Sequence, residues 1–358
     1  MPTPIETLLK NQIANSGPIS IAELMELALS HPKYGYYITR DPFGTEGDFI
    51  TAPEISQLFG EMIGIWCAYS WQQMGCPEHI LLVELGPGRG TLMQDALRAT
   101  RHISGFHQAI SVHMVETSPV LARLQQEKLA GCHPRINWHL EFQEVPAIPM
   151  LLVANEFFDA LPVHQYISIG GKFHEQYVGI DKLTGELAFT LSPIHIALPA
   201  HDYPDGAMFE RCPVGEMIAA DIAGRIRDHG GAALVIDYGY KREELKEYAG
   251  SVQAVKAHHY QKLLDHLGEA DITAHVDFSA LSTAMGKDVQ SFYTTQGAFL
   301  THMGIDNRAM MLAEKATPKQ AEDLRNAVDR LVSSHNMGEL FKVMAICPHH
   351  QPPPAGFQ

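Results

Sequence analysis

Acidic side chains close four apolar runs of this chain. Glu84 follows Leu81-Leu82-Val83, Glu116 follows 110–115, Glu156 and Asp159 follow 150–154, and Asp237 follows 233–236. Just after the first of these stands a glycine-dense turn, Gly86-Pro87-Gly88-Arg89-Gly90-Thr91. Alternating glycines let the backbone bend through unusual φ and let a ligand approach where a Cβ would clash. A carboxylate about 26 residues past the last glycine, Glu116, stands where it can accept both hydroxyls of a ribose. The fingerprint is G-x-G-x-G followed by Thr91, whereas a dinucleotide turn needs its third glycine or an alanine one position later. Preceded by Glu84, the turn reads as a binding loop for S-adenosylmethionine (SAM). Its expected contacts are Glu84, Gly86, Gly88, Gly90, Thr91 and Glu116, with Asn155 framing the methionyl end.

Methyl transfer from a sulfonium is an in-line displacement, so a protein mainly supplies alignment and exclusion of water. A guanidinium acceptor keeps its charge and is a poor nucleophile. Carboxylates paired to it in a dry cleft would orient it and offset that charge. Glu156 and Asp159, with Asp48 or Glu54, are the candidates; each alone would serve equally as a solvated turn or a helix cap.

Positioning these groups requires strands that end at one edge. The apolar runs predict strands at 80–85, 110–115, 136–140, 150–154, 233–236, 289–293 and 340–346. Helical spacing falls between them at 91–100, 119–129 and 214–228. That alternation predicts an α/β doubly wound sheet, in which ligands lie beyond the carboxyl ends of the strands. Residues 1–75 read as a helical cap and 76–348 as the sheet domain. An inserted β-hairpin region is expected at about 163–210, marked by Gly170-Gly171, and a disordered tail at 349–358.

The 358 residues suffice for one large domain and a satellite. A net charge of −15 argues against nucleic acid held on a basic surface. No apolar run reaches membrane-spanning length, and the first residues show neither a basic leader nor an apolar segment, which predicts a cytoplasmic protein without membrane insertion. Five cysteines without C-x-x-C spacing read as reduced thiols, and twenty scattered histidines without H-E-x-x-H predict no metal site.

The blocks 47–55, 83–92, 115–119, 154–165, 236–239 and 271–278 together resemble the MidA-type SAM-dependent methyltransferases. That family includes the mitochondrial complex I assembly factor that methylates an arginine of a complex I subunit. The resemblance implies a Rossmann-like class I SAM-dependent methyltransferase with a seven-stranded sheet, an N-terminal helical cap and SAM as cofactor. It further implies a protein arginine as acceptor, on a complex I subunit or its equivalent. His275, with His258 and Asp277, reads either as a group on or behind the acceptor side or as satisfied loop histidines and a helix cap. Lys256-Ala257-His258-His259 and Leu267-Gly268 depart from the family pattern. A small-molecule acceptor, a non-catalytic assembly chaperone with a relic SAM fold, and a nicotinamide dehydrogenase are the competing readings; Thr91 disfavours the last.

Overall fold

The computed structural model describes residues 2–39, 51–196, 204–244 and 249–357. It divides into two compact units, one of residues 50–158, 218–239 and 281–358, the other of 1–49, 159–217 and 240–280.

The first unit is built on seven strands: β1 (Ile80–Leu85), β2 (Ile110–Val115), β3 (Ile136–His139), β4 (Met150–Asn155), β5 (Gly231–Tyr240), β6 (Val289–Thr295) and β7 (Phe341–Pro348). They lie in the order β6-β7-β5-β4-β1-β2-β3. β7 runs antiparallel to β5 and β6, and the remaining pairs are parallel. All six residues of β1 and of β4 are buried, as expected of central strands covered on both faces. The chain winds from β1 outward through β2 to β3, then returns to the other side of β1 for β4. β1 and β4 therefore flank the topological switch, the place where an open α/β sheet leaves a crevice. Register brings Glu84 opposite Val153, Leu85 opposite Ala154 and Asn155 opposite Ile236, so the polar strand ends share one edge.

Helix α1 (Gln57–Gln73) and helix α2 (Thr91–Thr100), which follows the glycine turn, cross backbone to backbone. Gly60 and Gly64 make the approach feasible, because a Cβ on Gly64 would stand 2.6 Å from Ala96 Cα and one on Gly60 2.9 Å from Leu92 O. Around that crossing Phe59, Met62, Ile63 and Trp66 are buried in the sheet's core. Glu61, 1% exposed, is paired with Arg98 (2.9 Å) and Arg308 (2.7 Å). The expected cap of 1–75 thus divides differently. An apolar pattern reports that a helix such as Gln57–Gln73 is buried, not which core receives it. The tail also differs from expectation: Phe357 packs against Phe299 and Phe292, with ring centroids 5.5 and 6.3 Å apart.

The second unit has its own core, including Ile5, Leu9, Leu24, Met25, Val178 and Ile272. Helices Pro4–Ser16 and Ile21–Ser30 each begin with a capping box, Thr3 with Glu6 and Ser20 with Glu23. The stretch expected as an insertion supplies four antiparallel strands, His164–Ile169, Lys172–Ile180, Leu187–Ile196 and Met208–Arg211. Gly170 and Gly171, both at positive φ, make the first turn. Gln253–Lys256 pairs with His259–Gln261 and Asp271–Thr273 in a smaller sheet. No helix among the described residues is long and apolar enough to cross a membrane.

At the α1–α2 crossing, Gly64→Ala gains up to about 1 kcal/mol of helix propensity. Against this it drives a methyl into the Ala96 backbone, an overpacking cost of about 1–3 kcal/mol or more. The steric cost wins. Urea unfolding should show a lower midpoint for Gly64→Ala, and an unchanged or raised midpoint would mean the helices separate freely.

Candidate functional site

Gly86, Gly88 and Gly90 adopt φ of +59°, +53° and +77°, a region L side chains enter at a cost. The turn is braced at both ends, Gly86 N donating to Val115 O (3.1 Å) and Gly90 N to Pro87 O (2.8 Å). A Cβ on Gly86 would meet the Phe157 ring at 2.9 Å, while one on Gly90 would reach Gln125 at an ordinary contact distance of 3.4 Å. The loop is therefore bare backbone on one side and supported by side chains on the other.

Glu116, past the end of β2, accepts from Ser118 N (2.8 Å) and from the Gln125 amide (3.0 Å). Burial pushes its carboxyl up to about 7, against the pull of those donors. Glu84 is buried at the end of β1, and burial, then the charge of Glu116, pushes it up to about 8. Its Oε2 has no hydrogen-bond partner among the described residues, and neither has Asn155 Oδ1 at the end of β4. Both atoms are acceptors, and a buried acceptor left unpaired is costly, so the site fits a ligand bringing donors or positive charge. A nucleoside with a cationic amino-acid tail supplies both, and its ribose suits Glu116. These residues fit SAM.

Glu156 follows Asn155 with φ of +50°, rare for a residue with a Cβ. Its Oε1 accepts from Asn155 Nδ2 (3.2 Å) and Ala52 N (3.3 Å). Thr91 donates its hydroxyl to Glu54 and accepts from Lys128 Nζ, so it ties the first turn of α2 to the segment before α1. Asp237 is wholly buried and caps the chain after β4, accepting from Phe158 N and Tyr238 N (3.0 Å each).

Glu84, the three glycines, Thr91, Glu116, Asn155 and Glu156 thus all belong to the sheet unit. Asp159 and His275, expected on the acceptor side, belong to the other unit. There Asp159 O accepts from Ala274 N (2.9 Å), and His275 N donates to Ser251 Oγ (2.9 Å). Burial lowers the His275 ring below the usual imidazole range, opposed by Glu210. Asp48 lies outside the described residues. Sequence reasoning missed Gln125, Trp138, Lys128 and Phe157. They are scattered over a helix, the edge strand and a turn, and only the folded register brings them to the loop.

The family model of S-adenosyl-L-methionine-dependent methyltransferases matches residues 62–295. The human protein arginine methyltransferase NDUFAF7, mitochondrial, is 37% identical over 98% of this chain and 84% of its own. Its Xenopus laevis counterpart is 35% identical over 97% and 87%. Among solved structures, a superfamily member from Burkholderia thailandensis bound to S-adenosyl-homocysteine is 27% identical, with a TM-score of 0.86 over 99% of this chain and 96% of that one. The expectation of a cytoplasmic protein does not stand, because the curated relatives are named as mitochondrial proteins. With the family matched over most of the sheet unit and the relatives over nearly the whole chain, this protein belongs to the S-adenosyl-L-methionine-dependent methyltransferases.

Proposed function

We propose that the enzyme methylates an arginine of a protein partner, with SAM held in the β1–β4 crevice. The observation that carries the acceptor is that relatives 34–37% identical over nearly the whole chain are named protein arginine methyltransferases. The resemblance drawn from the sequence blocks narrows the partner to a respiratory complex I subunit or its equivalent. The finer architecture belongs to the same proposal, a Rossmann-like class I methyltransferase sheet.

SAM, when bound, supplies an electrophilic methyl group. Glu116 accepts the ribose hydroxyls, Gly86, Gly88 and Gly90 leave room for the nucleoside, Thr91 fixes the loop, and Glu84 Oε2 and Asn155 Oδ1 take up donors. On the acceptor side, Glu156 orients the guanidinium. Glu156, held by the Asn155 amide (3.2 Å), receives the proton that the methylated nitrogen gives up.

Three measurements test this. Tritiated methyl from SAM, offered with the enzyme to an extract lacking it, should appear in methylarginine after protein hydrolysis; label confined to small molecules would refute the acceptor. Gly88→Val places a β-branched residue at φ +53° in the loop and should abolish calorimetric SAM binding while circular dichroism stays native. Retained binding would remove the loop from the site.

The third is pH dependence. With Glu116 near 7 and Glu84 near 8, affinity for a cationic ligand should climb between about pH 6 and pH 9 as the carboxylates ionise. The stability of the ligand-free protein moves oppositely. A carboxyl whose folded pKa is raised keeps its proton where the unfolded chain has lost it, so stability falls from about pH 4.5 to pH 8. Glu84→Gln should flatten both slopes in calorimetry and thermal melts, and unaltered slopes would mean that Glu84 does not titrate there.

A further inference from the structure

Gln125 lies on helix α3 (Pro119–Lys128) and is 0% exposed. Every polar atom of its amide is engaged. Nε2 donates to Gly88 O (2.7 Å) in the glycine turn and to Glu116 Oε2 (3.0 Å), and Oε1 accepts from the indole N–H of Trp138 on β3 (3.0 Å). Trp138 can only donate, so its bond fixes which end of the amide is oxygen and turns the NH2 toward the loop and the carboxylate. The helix carrying Gln125 is itself fixed, since Ser118 caps it by accepting from Leu121 N (3.3 Å) while its N–H holds the other oxygen of Glu116.

We infer that Gln125 is a positioning residue for recognition of the nucleoside sugar, a clip that sets the Glu116 carboxylate at a fixed offset from the Gly88 peptide. One amide group bridges the two elements a ribose must meet together, bare loop backbone and an acceptor carboxylate. Without it, Glu116 keeps only backbone donors next to it in the chain, Ser118 and Thr117, nothing ties its Oε2 to the glycine turn, and the Gly88 carbonyl loses a partner. The inference rests on the placement of the ribose at Glu116 proposed above. A residue that merely filled space would weaken all ligands alike, whereas a clip acting through Glu116 weakens selectively those that carry the ribose hydroxyls.

The test compares calorimetric affinity for S-adenosylhomocysteine and for its 2′-deoxy analogue. Wild type should prefer the former by about tenfold to a hundredfold, the range for a hydrogen bond to a charged acceptor. In Gln125→Met, near-isosteric but without polar atoms, the preference should collapse to about twofold or less. Trp138→Phe, which keeps the amide but frees its orientation, should fall between. It decides the matter if Gln125→Met does not fold. A preference unchanged in the folded variants overturns the clip while leaving Glu116 as the sugar's partner. No preference in wild type overturns the ribose placement and the clip together.

Discussion

A buried carboxylate, Glu84, close enough to the half-buried Glu116 to feel its charge, is the constraint around which the sheet unit is arranged. Glu84 and Glu116 each end a parallel strand, and neither meets a basic side chain among the hydrogen bonds and ion pairs described. Burying one such group within reach of another's charge disfavours the folded state, so something rigid must hold them. That rigidity comes from the central strands, covered on both faces, and from the glycine-mediated contact of α1 with α2. The same crossing fixes the turn between β1 and α2, so core packing and ligand geometry are one problem here rather than two.

Much of this was legible in the residues. The apolar runs gave the strands, because residues of central parallel strands are buried on both faces and tolerate little polarity. Glu84, Glu116, Glu156 and Asp237 then fell at one edge for topological reasons that hold for any sheet wound this way, while Asp159 belongs to the other unit. That Glu116 stands just past its strand, within one side chain of the glycine turn, was readable from its place in the chain. Gln125 was not, since a glutamine on a polar helix looks like any solvated residue until strand order brings Trp138 beside it. Nor could Gly60 and Gly64 be distinguished from weak points in a helix. Their meaning lies in Leu92 and Ala96, each 32 residues further along the chain and on another element.

Domain boundaries were the least legible. A contiguous reading of the chain assigns everything before the sheet to one cap, but 57–73 buries its face with the sheet, while Pro4–Ser30 shares a core with strands that come after residue 159. Hydrophobic periodicity reports that a face is buried; it carries no address. The C-terminal Phe357 is a sharper case, because proline-rich composition suggests disorder while one ring at the end settles against Phe299.

The left-handed backbone at Glu156 limits what this position can become. Glycine there would relax the chain at once, and asparagine or aspartate nearly so, since their short polar side chains tolerate that conformation. Each would also withdraw the terminal oxygens by at least one carbon from the amides of Ala52 and Asn155. A longer side chain is kept on a backbone that suits it poorly, and the changes most welcome to the main chain are those that shorten its reach.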